Sequence, residues 1–189
     1  MHSETPARNL DEAASRLAKV TSQTVRAFST RDFGRDEYKK ARSVLVPAEH
    51  AEALLGKVRE ELGPGLIAFI GTQNNLADSA PEAVELVVAE GKTQFDIVRV
   101  AASDAINFGK QTEDLIPVLQ KWDAEFGIDI FQAGSDTIQL RLRSLPSDLK
   151  KFAREVYQFC PDSVDQGVGS VEGLRKEIAE SHQLFLWWD

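Results

Sequence analysis

The sequence is poor in the residues that most often carry chemistry. Its 189 residues include one cysteine and three histidines. One thiol closes no internal disulfide, which suits a reducing cytoplasm, and it offers no cysteine cluster to a metal. His2 lies in a polar leading stretch, His50 at a helix start and His182 at a helix end. None has a second His or Cys at ligand spacing, so neither a metal nor a cofactor is expected. No Gly-x-Ser-x-Gly elbow occurs. Gly167-Val168-Gly169-Ser170 lacks both the lysine of a phosphate loop and the third glycine of a dinucleotide fingerprint. Long apolar runs are missing too. Leu66–Ile70 is far short of a membrane span, and MHSETPARNLDEAAS has no charged-then-apolar leader. No internal repeat or low-complexity segment is visible.

What is present is acid. The net charge is −8, unevenly spread: residues 1–45 carry nine Lys/Arg against six Asp/Glu, whereas residues 46–189 carry 13 against 24. An acidic body repels nucleic acid and membrane surfaces, and it draws basic partners into faster, salt-sensitive encounter. The same acidity also serves plain solubility. Hydrophobic and charged contents of 42% and 28% are those of an ordinary folded domain.

Periodicity predicts the elements. Residues 9–28 read as a helix opened by an Asn9/Glu12 capping box, with Leu10, Ala13, Leu17, Thr21, Val25 and Phe28 on one side. After a break at Thr30–Gly34, a strand runs from Lys39 to Val46. A helix then follows Pro47 and is stopped by Gly63-Pro64-Gly65. Strands are expected at Leu66–Ile70 and Val84–Ala89, with a loop over Thr72–Pro81 between them and a helix over 95–106 after them. A second helix opens at Thr112, with Glu113 and Asp114 in its first turn. Ile128–Ala133 and Thr137–Arg143 form a hairpin in which Ile138, Leu140 and Leu142 point inward. A helix over 148–159 follows. Paired strands mixed with strand–helix alternation give an α+β fold: one domain over 1–189, with a mixed or mostly antiparallel sheet flanked by helices.

The stretch from Tyr157 to Asp189 organises the rest. It holds Cys160 and two of the three tryptophans, Trp187 and Trp188. Ser170 can cap a short helix carrying Val171, Leu174 and Ile178. The segment from Cys160 to Gly169 reads as a fixed turn system. Leu184, Leu186 and Trp188 alternate with Phe185 and Trp187, so both faces of the last strand are apolar and the strand is expected to be central in the sheet. Cys160 follows the apolar face of Phe152, Val156 and Phe159, which points to a packed thiol. Asp104, Asp136, Asp162, Asp165 and Asp189 lie beside turns, where carboxylates act as caps.

Three motifs, Phe159-Cys160-Pro161-Asp162, Gln166-Gly167-Val168-Gly169 and Leu186-Trp187-Trp188-Asp189, stand in the last third. Upstream of them come Asp104-Ala105-Ile106-Asn107-Phe108-Gly109, Thr112-Glu113-Asp114, Trp122, Phe126-Gly127, Asp136 and Leu145-Pro146. With these the chain resembles a bacterial family known as domain of unknown function 4253. The likeness covers residues 95–189; residues 1–90 carry no matching motif, and Phe108 stands where the family's turn usually has Tyr. The resemblance implies no enzymatic activity. It implies structural roles for Asn107, Gly109, Trp122, Asp136, Cys160, Pro161, Asp162, Gly167, Gly169, Trp187, Trp188 and Asp189.

Some members are similar to immunity proteins that neutralise secreted antibacterial toxins. Joined to the charge argument, this gives the expected function: a cytoplasmic immunity protein binding a basic toxin domain, a nuclease delivered by a type VI system. Its contacts are expected at Glu49, Glu52, Glu60, Glu61, Asp78, Glu82 and Glu85. The alternative is a small-ligand-binding protein or hydrolase-like enzyme with a pocket near Asn107, Asp136 and Asp162.

Overall fold

Local signals set the helices of the computed structural model, which describes residues 5–29, 37–71 and 83–189. In α1 (Leu10–Thr21), the Asn9 side chain accepts the Glu12 N–H at 2.9 Å, and the Glu12 carboxylate accepts the Arg8 N–H at 2.9 Å. The helix ends at Thr21, with Ser22 at φ 56°, not at the expected residue 28. Ser22-Gln23-Thr24 competes poorly for helix, and Phe28 belongs instead to the strand β1 (Arg26–Ser29). α2 (Ala51–Glu60) follows a 3₁₀ turn over Ala48–His50 and stops ahead of Gly63. α3 (Phe95–Val100) is shorter than the predicted 95–106 because Ala102, at φ 52°, turns the chain; Ile106 falls in a separate 3₁₀ turn. α4 (Thr112–Phe126) opens on a capping box between Gln111 and Asp114. Asp148 and Ser170 cap α5 (Leu149–Phe159) and α6 (Val171–Ser181). Among the described residues no helix is long and apolar enough to cross a membrane. The predicted break at Thr30–Gly34 and the loop Thr72–Pro81 lie outside the described residues.

The other strands are β2 (Glu37–Pro47), β3 (Leu66–Ile70), β4 (Ala83–Glu90), β5 (Ile128–Ala133), β6 (Thr137–Leu142) and β7 (Gln183–Trp187). They form one seven-stranded sheet in the order β1-β2-β4-β3-β5-β6-β7. β3 and β5 run parallel, while β1–β2, β2–β4, β3–β4 and β6–β7 are antiparallel. The protein is thus an α+β fold with a mostly antiparallel sheet and flanking helices. The last strand is a correction: β7 lies at the edge, not the centre. Leu184 and Leu186 are buried, but Phe185 on the other face is 39% exposed. Apolar residues on a half-exposed face do not by themselves mean that something covers it. The strand buried on both faces is β4, sealed at every position from Val84 to Ala89.

The chain, read above as one domain, divides into two compact units: Met1–Ala102 with Phe131–Ser135, and Ser103–Ile130 with Asp136–Asp189. In the first, Leu10, Ala13 and Leu17 of α1 and Ala51, Leu55 and Val58 of α2 share a core with Val44, Val46, Leu86, Val88, Ala68 and Ile70 of the strands. In the second, an aromatic series links the helices to the end of the sequence. Phe126 meets Phe152 (4.9 Å between centroids), Phe152 meets Trp122 (5.3 Å), Trp122 meets Phe159 (5.4 Å) and Phe159 meets Trp188 (5.4 Å), each edge to face.

Candidate functional site

The motif residues of the second unit begin where α5 ends. Pro161 follows the helix, and its carbonyl accepts N–H groups from both Val164 and Asp165 at 2.9 Å, starting a π-helical turn over Ser163–Val168. The expected fixed turn system is therefore a wide helical turn. Gly169, at φ 76°, closes it by donating to the Val164 carbonyl at 2.8 Å, a left-handed conformation that glycine adopts without strain. Gly167 is exposed within it. Ser170 then accepts the Gly173 N–H at 3.0 Å.

This turn covers the outer edge of β7 with side chains. Ser163 Oγ donates to the Phe185 carbonyl at 2.9 Å and accepts a long bond from the Trp187 N–H at 3.4 Å. Cys160 Sγ donates to the Trp187 carbonyl at 3.0 Å, and Asp162 Oδ2 accepts the Asp189 N–H at 3.0 Å. Ser163 and Cys160 have one proton each. With both spent on strand carbonyls, their 3.0 Å Sγ···Oγ approach is a packing contact. Burial pushes the Cys160 thiol up, which keeps the proton that the Trp187 carbonyl needs. An edge strand normally leaves a row of unpaired backbone groups; here three side chains take the place of the missing neighbour.

The Phe159 carbonyl is a second node. It accepts Trp188 Nε1–H at 3.3 Å and Lys110 Nζ–H at 3.2 Å. Lys110 closes the loop Ala105–Lys110, in which Ala105 and Lys110 exchange backbone bonds of 3.0 and 3.1 Å. Its ammonium stands 5.6 Å from the centroids of both Phe108 and Phe159. Asn107 is exposed at the loop tip, followed by Gly109 at φ 68°. Nearby, Trp122 Nε1 and Lys121 Nζ donate to Glu155 at 2.9 and 2.6 Å. Burial alone would raise the Glu155 carboxyl, but these donors outweigh it and hold the group below the usual glutamate range.

Of the pocket expected near Asn107, Asp136 and Asp162, the structure brings two residues to one place. The Asp136 carbonyl accepts the Trp188 N–H at 3.0 Å, beside the Asp162 bond to Asp189. Both hold the last two residues of the sequence, and Asp162 is buried. An open groove of 310 Å³ in this unit lies between α5 and α6, lined by Lys150, Arg154, Glu172 and Arg175. Among the described residues no group of three or more His, Cys, Asp or Glu could hold a metal ion.

The expected contact acids separate. Glu49, Glu52 and Glu60 are exposed around α2, and Glu61, half-buried, meets Arg16 at 3.7 Å. Asp78 and Glu82 lie outside the described residues. Glu85 is corrected: it is 3% exposed, on the β4 face that also carries Val87, with Arg26 at 2.6 Å and Ser43 at 3.2 Å on its carboxylate. Glu85 counts as a surface acid on charge alone, and nothing local in the sequence shows that both faces of β4 are covered.

Sequence reasoning missed Lys110 and Ser163. The signals available were a lysine just after a tight Asn-Phe-Gly turn and a hydroxyl one residue beyond Cys-Pro-Asp.

Fold and site define an α+β protein in which the side chains of Cys160, Asp162 and Trp188 bond its own backbone. A family model described as Domain of unknown function (DUF4253) matches residues 85–189, more than half of the chain, and the protein belongs to this family. The match begins ahead of the expected residue 95 and takes in most of β4. No curated protein and no solved structure matches the sequence.

Proposed function

We propose that the protein acts by binding another protein: a cytoplasmic immunity protein that neutralises a basic toxin domain, a nuclease delivered by a type VI secretion system. The observation that carries this reading is the fate of the groups that could have done chemistry. Cys160, Ser163 and Asp162 are buried and engaged with the backbone of the last strand. Acids occupy the surface instead, on a chain of net charge −8. Glu49, Glu52 and Glu60 stand exposed around α2, where they would accelerate encounter with a cationic, substrate-binding face and occlude it.

The test is co-purification with the product of the adjacent gene, followed by titration at low and high salt. A complex with Kd near the nanomolar range, about −12 kcal/mol, that weakens with salt and with Glu49→Lys/Glu52→Lys/Glu60→Lys supports the reading. Absence of a complex overturns it.

A further inference from the structure

The apolar side chains that face solvent are not evenly scattered. Among the described residues five large apolar side chains are exposed, Leu45 (43%), Ile106 (65%), Phe108 (37%), Leu145 (37%) and Phe185 (39%), and of these Ile106 and Phe108 share one loop, Ala105–Lys110. Isolated exposed hydrophobics need no explanation, but two on the tip of one built loop do.

This loop is closed by its own backbone hydrogen bonds. Besides the Ala105–Lys110 pairing, the Phe108 N–H bonds the Ala105 carbonyl at 2.9 Å and the Gly109 N–H bonds the Ile106 carbonyl at 2.9 Å. Lys110 lies beneath, its charge turned inward against the Phe159 carbonyl and the two rings. Acidic residues flank the loop in sequence: Asp104 just before the stem, and just after it Asp114, whose exposed carboxylate also accepts the Gln111 N–H at 2.8 Å. An apolar tip on an ordered loop loses little conformational entropy on docking, as a contact anchor requires.

We propose that the loop Ala105–Lys110 is the anchor by which this protein docks on its basic protein partner, Ile106 and Phe108 entering an apolar pocket whose rim carries cations. The inference rests on the binding reading above and adds an apolar contact to the acidic one proposed there. Apolar insertion supplies the affinity, and Asp104 and Asp114 complement the partner's rim.

The experiment titrates the purified adjacent-gene product against the native chain, Ile106→Asp and a control, Leu145→Asp, whose residue is equally apolar and 37% exposed. Ile106→Asp is expected to weaken binding about 10- to 100-fold, the scale of one buried aliphatic side chain. That loss persists at high salt, and the thermal unfolding midpoint is unchanged. Leu145→Asp binds within about twofold of native. Should Ile106→Asp lower the midpoint, Ile106→Ser removes the same apolar contact without adding charge and is read in its place. Native-like binding by the Ile106 variant, or equal weakening by the control, overturns the loop as anchor while leaving the binding reading standing. Failure of the native chain to bind overturns both.

Discussion

Removing the Ser163 hydroxyl tests whether side chains stand in for a missing strand at the β7 edge. In Ser163→Ala the volume change is negligible, so the cost comes from hydrogen bonding. The Phe185 carbonyl loses a 2.9 Å donor, and the Trp187 N–H loses a weak acceptor at 3.4 Å. A buried polar group left without its partner costs about 1–3 kcal/mol, and a bond of 3.4 Å contributes little of that. Because the site is only part-buried, the expected loss is about 1–2 kcal/mol, or about 2–8 °C in Tm for a chain of this size.

Guanidinium unfolding followed by tryptophan fluorescence reads this unit selectively, since Trp122, Trp187 and Trp188 all belong to it. The control is Ser181→Ala, an exposed hydroxyl that accepts the Gln183 N–H at 3.0 Å and can be replaced there by water. It should cost less than about 0.5 kcal/mol. Hydrogen exchange at the Trp187 amide should quicken in Ser163→Ala alone. If the two variants unfold together and exchange alike, Ser163 does not protect the edge and the account of the motif is wrong.

Trp122→Ala removes the centre of the aromatic series and a donor to Glu155; it should cost about 3–5 kcal/mol, read by the same unfolding curve. Glu155 has a lowered folded pKa, so its stabilisation is fully present above the ordinary value of 4.5 and is lost as pH falls through the lower folded value. Glu155→Gln should therefore be less stable than native at neutral pH, with the gap closing on acidification below 4.5; a constant gap in pH-dependent unfolding would refute the ion-pair account. At Gly169 an added Cβ would meet nothing within 4 Å, so Gly169→Ala isolates the backbone cost of φ 76°. About 1–2 kcal/mol is expected, and a neutral result in denaturation would show that the turn relaxes.

What was legible in the sequence was local. The Asn9–Glu12 cap, the acidic first turn of α4, the alternation of Ile138, Leu140 and Leu142, and the Ser170 cap each depend on residues within four positions of one another, and each appears in the structure. The failures were of two kinds. Val25 and Phe28 kept the helical period past a real terminus, because an apolar residue at the right spacing serves a strand equally well. The places of β7 and Glu85 depend on which strands neighbour which. That is long-range information: two apolar faces looked like a central strand at β7, while the two-sided strand was β4, with a carboxylate inside it. In the candidate site, the apolar face before Cys160 points to a packed thiol and the turn at Asp162 to a cap, and both are buried and bonded to the backbone of the last strand. The anchor loop was not legible, because the inward turn of Lys110 depends on a carbonyl 49 residues away.

That dependence decides how variants of the motif must be interpreted. Phe159 ends α5, meets Trp122 and Trp188 edge to face, and offers the carbonyl that holds Lys110 under the loop. Cys160 and Asp162, next along the chain, hold the strand that carries Trp188 into place. A substitution at Cys160, Asp162 or Trp188 therefore loosens the Phe159 node and, through Lys110, the loop bearing Ile106 and Phe108. Asp162→Ala should weaken partner binding without touching the partner, and in proportion to its loss of stability. Ile106→Asp should weaken binding at full stability. Plotting affinity against unfolding free energy for both classes separates them: motif variants fall on one sloping line, and loop-tip variants drop vertically below it. Motif variants that lose binding while fully stable would place a contact or a ligand at Asp162 itself, and the edge-covering role assigned to that carboxylate would have to be given up.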